Sequence, residues 1–171
     1  MISTDTLVYR TLSEVPPGNL VSLEDDRIAI CVLHPAGEMG GESKPALIVL
    51  FEDSKRGPLP LTYAGQGHVR CLDWGVKPVF VWRPGVAATS GENLPATGWL
   101  EVVDDRVTLT SHYNHGHGYR LHWDIKSGEL VDVANRQVFR ISHWQLGVKG
   151  PTGAFIKLVE YPNDYLAKKA V

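Results

Sequence analysis

Four histidines crowd one short stretch of the chain, at His112, His115, His117 and His122. Imidazole is a common ligand for zinc, copper, nickel and iron, and three such rings with one open position make a catalytic type of metal site. His115 and His117 fall in Asn114-His-Gly-His-Gly118, whose glycines let the backbone curl over the flanking segments. Asp124 follows closely enough to supply an oxygen or to orient a ring. The spacing carries no firm signature, because there is no His-Glu-x-x-His and no Cys-x-x-Cys. After His117 comes Gly118-Tyr-Arg-Leu-His122, with no acid to complete a His-x-His ligand set. The competing reading is a polar hairpin tip with exposed imidazoles. The cofactor expectation is therefore zinc or another transition metal at these four histidines, or none.

Tryptophan is the second group with something to offer, with five in the chain. Trp99 and Trp123 sit in apolar, alternating runs and read as core. Trp74, in Leu72-Asp-Trp-Gly75, and Trp82, in Val79-Phe-Val-Trp-Arg-Pro-Gly85, stand beside turns. An indole in such a place can anchor a protein interface or stack on a sugar. More often it caps a β core.

Nucleophilic chemistry finds little to work with. No Gly-x-Ser-x-Gly occurs, and neither Gly37-Glu-Met-Gly-Gly41 nor Gly65-Gln-Gly67 is followed by the Lys-Ser/Thr of a phosphate loop. Asp25-Asp26 and Asp104-Asp105 read as turn acids, each ahead of an Arg and a β-branched residue. Cys31 and Cys71 belong to no close pair and read as small buried hydrophobes, with a disulfide open to them only if their strands are neighbours. These absences lean against an enzyme.

Composition narrows the partners. The 171 residues carry 17 Lys+Arg against 19 Asp+Glu, a formal charge of −2. No basic stripe is written that would displace phosphate counterions, so nucleic acid is not an expected partner. The longest apolar run, Ala46-Leu-Ile-Val-Leu-Phe51, falls far short of the roughly 20 residues of a membrane helix. Met1-Ile-Ser-Thr-Asp-Thr6 shows no leader pattern, and the expected compartment is the cytoplasm.

The elements that must position these residues are strands. Seventeen glycines and 11 prolines are spread along the chain, and apolar residues alternate or come in short blocks. Twelve strands are expected: 7–12, 19–23, 27–33, 46–52, 68–72, 78–82, 99–103, 106–113, 119–125, 129–133, 137–146 and 155–160. Pro162 to Ala170 carries Asn163 or Asp164 as a cap and then helix formers, which predicts a short terminal helix. Pro35–Pro45 and Asp53–Pro60 read as long loops able to cover an edge or reach a partner. The segment 84–98 is the one linker-like stretch, yet each half alone is small for a core, so residues 1–171 read as one domain.

The second half specifies its own pairing. Val107, Leu109, Ser111 and Tyr113 alternate with Thr108, Thr110 and His112; Tyr119, Leu121, Trp123 and Ile125 alternate with Arg120, His122 and Asp124. Pairing Tyr113 with Tyr119 sets Leu109 opposite Trp123 and Val107 opposite Ile125, with His112 and His122 as diagonal neighbours on the polar face. A one-residue slip would mix the faces. The next turn, Lys126-Ser127-Gly128, fits a three-residue loop with Gly128 left-handed, which would put Val131 and Val133 on the Trp123 face.

The predicted architecture is all-β, an antiparallel sandwich or partly open barrel with this meander and the terminal helix. The function that follows is a binding or assembly module that contacts another copy or another protein through its long loops and through Trp74 and Trp82. Two alternatives stand beside it: a small metal-dependent β-barrel enzyme using the His112–His122 hairpin, and a carbohydrate-binding module using the same two indoles.

Overall fold

The computed structural model describes residues 7–25, 27–35, 42–51, 61–82, 98–113, 120–134, 136, 138–141 and 143–161. Within them the chain is all-β. The first half forms β1 (Val8–Thr11), β2 (Leu20–Ser22), β3 (Ile28–His34), β4 (Lys44–Phe51), β5 (Leu61–Tyr63), β6 (Arg70–Asp73) and β7 (Val79–Trp82). The second half forms β8 (Leu100–Val103), β9 (Arg106–Tyr113), β10 (Arg120–Asp124), β11 (Val138–Ile141), β12 (Trp144–Lys149) and β13 (Phe155–Tyr161). A single 3-10 turn, Leu12–Glu14, follows β1. The expected terminal helix at 162–170 lies outside the described residues, as do most of the two long loops. No helix among the described residues is long and apolar enough to cross a membrane.

Two sheets result. The larger has ten strands in the order β1-β6-β2-β3-β4-β5-β9-β8-β11, with β10 also on β9; the smaller runs β13-β12-β7. Pairing is antiparallel except where β5 meets β9, and the larger sheet does not close into a barrel. One core joins the two sheets. Leu20, Ile30, Val32, Ile48, Leu50, Leu100, Leu109, Trp123 and Ile141 of the larger sheet pack with Trp144, Leu146, Val148 and Val159 of the smaller.

The other face of β2, β3 and β4 has its own core, built by Val21, Ala29, Cys31, Leu47 and Val49 under Leu12 and Val15. Alternate residues of Ala46–Leu50 therefore point into two different apolar cores. A strand covered on both faces needs an unbroken apolar run, and that is why this segment has one. Cys31 and Cys71 are buried here as free thiols, on strands separated by β2 rather than adjacent.

The β9–β10 register is the one the alternation predicts. His112 faces Arg120, Ser111 faces Leu121, Thr110 faces His122, Leu109 faces Trp123 and Thr108 faces Asp124. Its Tyr113–Tyr119 end falls partly outside the described residues. Ser111, a polar residue on the apolar face, accepts the Trp123 indole N–H at 2.9 Å, which satisfies a donor that is otherwise buried.

Three expectations need correction. The loop after β10 has four residues, Ile125–Gly128, because the Asp124 carboxylate accepts from the N–H groups of Lys126 (2.7 Å) and Ser127 (3.3 Å). Gly128 then donates to the Asp124 carbonyl at 2.8 Å, and Trp123 faces Leu130 instead of Val131. The expected strand 129–133 is reduced to two isolated bridges, at Glu129 and Leu130. The expected strand 137–146 is two strands, because Ile141 ends in the larger sheet and Trp144 begins in the smaller while both enter the shared core.

Gly128 does take the left-handed conformation (φ 74°), and a Cβ there would lie 2.7 Å from the Gly18 backbone nitrogen. Gly153 has a similar φ of 79° but open space around it. Alanine at either site pays the left-handed penalty of roughly 1–2 kcal/mol, and only Gly128→Ala adds a clash costing about 1–3 kcal/mol more. Urea unfolding of both variants should show Gly128→Ala as clearly the less stable; equal losses would mean the turn does not pack against Gly18.

Candidate functional site

The polar face of β8, β9 and β10 is not a wet face. Thr108 and Thr110 are buried, and so is Glu101, at 3% exposure. Strand pairing sets the row: Arg140 of β11 stands opposite Glu101 of β8, Glu101 opposite Thr108, and Thr110 opposite His122. Arg140 donates from Nε to Glu101 Oε1 at 2.9 Å, and His122 Nδ1 lies 2.6 Å from Glu101 Oε2. The second contact is a close approach that lacks the geometry of a directed hydrogen bond. The Arg140 guanidinium also lies 5.7 Å from the centre of the Trp99 ring.

Burial works to raise the Glu101 carboxyl, but the His122 and Arg140 contacts outweigh it and hold the group below the ordinary glutamate range. A carboxylate this close to Nδ1 orients the His122 ring. No thiol stands ready to use it. Cys31 and Cys71 are pushed up to about 12 and about 11, chiefly by burial, and both lie on the far side in the second core.

Of the histidines expected to gather, the structure brings His112 and His122 to one face as diagonal neighbours, with Arg120 between them in the pairing. His115 and His117 lie outside the described residues. Among the described residues, no three His, Cys, Asp or Glu side chains are grouped to hold a metal. Trp74 follows β6 of the larger sheet, packs against the shared core and donates its indole N–H to Ser22 at 2.8 Å. Trp82 closes β7 of the smaller sheet, opposite Trp144, and is 40% exposed.

Glu101 escaped the sequence reading, although a signal for it exists. It shares period-2 spacing with Trp99 and Val103, both buried, so its carboxyl must enter that same covered face. Equally missed was the character of the sheet ends. Of eight exposed large hydrophobic side chains among the described residues, six sit on four of the five strands that pair with a single strand, β10 being the fifth. They are Val8 and Tyr9 on β1, Phe139 on β11, Val81 and Trp82 on β7, and Phe155 on β13.

Because Glu101 is more acidic folded than unfolded, its contribution is whole above the ordinary glutamate value and is lost as pH falls through the lower folded one. Glu101→Gln should cost about 2 kcal/mol at neutral pH, since it leaves Arg140 and His122 without their anion. Urea unfolding of parent and variant at pH 7 and at pH 3 should show that gap narrowing in acid. A gap that stays constant would mean the carboxylate's charge contributes nothing.

Comparison of the chain with protein-family models, with curated proteins and with solved structures found no match.

Proposed function

We propose that this chain is a non-enzymatic binding and assembly module whose sheet ends are completed by association with further protein, a second copy first among the partners. The observation that carries the reading is the placement of exposed apolar side chains. They are not scattered: six of eight stand on β1, β7, β11 and β13, each of which pairs with a single strand among the described residues. An edge that offers both hydrogen-bonding groups and apolar side chains is a template for another strand, unless something blunts it. The poverty in nucleophiles supports the same reading, as do the two buried, un-ionised thiols.

A second reading keeps the histidine hairpin as a site for a transition metal such as zinc. It is favoured by the register, which sets His112 and His122 on one face, and by the Glu101 carboxylate that orients the His122 ring. On this reading, untagged protein reconstituted with zinc retains one ion per chain, and both His112→Ala and His122→Ala lose it. A metal-free protein after reconstitution removes the reading.

For the assembly proposal the decisive measurement is mass against concentration. Light scattering on the full chain should give masses rising above the 18.9 kDa monomer as concentration increases. A strict monomer from low to high concentration would overturn it.

A further inference from the structure

We draw no further inference here: the strongest candidate, the buried side-chain cluster of Glu101, His122 and Arg140 on the covered polar face of β8, β10 and β11, belongs to the site already described.

Discussion

A strand with both faces removed from water has no place to leave a polar side chain without a partner. Most of this structure follows from that constraint. In β3 and β4 it is met by having no polar side chains in the buried stretch, so Ala29–Val32 and Ala46–Leu50 alternate between two apolar cores. In β8 and β9 it is met the other way. One face carries Leu100 and Leu109 into the shared core, while the other buries Glu101, Thr108 and Thr110 and must satisfy them in place. The Thr108 hydroxyl donates to the Glu101 carbonyl at 3.2 Å, and the carboxylate takes Arg140 on one oxygen and His122 on the other. Four strands are thus held in mutual register by one acid, because a slip of β10 or β11 would strand a buried charge.

Much of this could be read from the sequence where one rule sufficed. Alternation alone sets the β9–β10 register, since only one pairing segregates Leu109 and Trp123 from Thr110 and His122. Twelve expected strands, two of them corrected, place nearly every element, for the same reason. What escaped depends on more than one segment at a time. The length of the turn after β10 is decided by whether Asp124 points its carboxylate at its own loop, which competes with the loop that alternation favours. The passage from β11 to β12 looks like one strand because Ile141 and Trp144 enter the same core from two sheets. β5 is three residues long, too short to show a period.

The candidate site was harder to read for a related reason. His122 is conspicuous by its type and by its neighbours in the sequence, so it invites a metal. Its recorded partner is Glu101, a lone acid in an apolar segment some twenty residues upstream, and its ring also approaches the Thr110 hydroxyl. A cluster assembled across three strands leaves no spacing signature. Trp74 and Trp82 show the same limit from the other side: both stand beside turns in the sequence, yet one spends its N–H on Ser22 and the other ends an edge strand with its ring half out.

The buried acid and the uncharged strand β7 are connected through where charge is used. Glu101 fixes β11, and Arg140, the charge that protects that end of the larger sheet, is held down on the strand by the same contact. At the other end Arg10 lies 3.5 Å from the buried carboxylate of Asp73, which again ties an edge charge to the interior. Lys157 and Glu160 of β13 pair with each other across the register shift in that strand, and Glu160 also accepts from Gln145 of β12. Each protected edge therefore has its charge anchored by something behind it. β7 faces β12 through Trp144, Gln145, Leu146 and Gly147, none of which could hold a charged side chain of β7 in this way except Gln145, whose amide is already committed to Glu160. A charge on β7 would have no internal counterpart behind the strand.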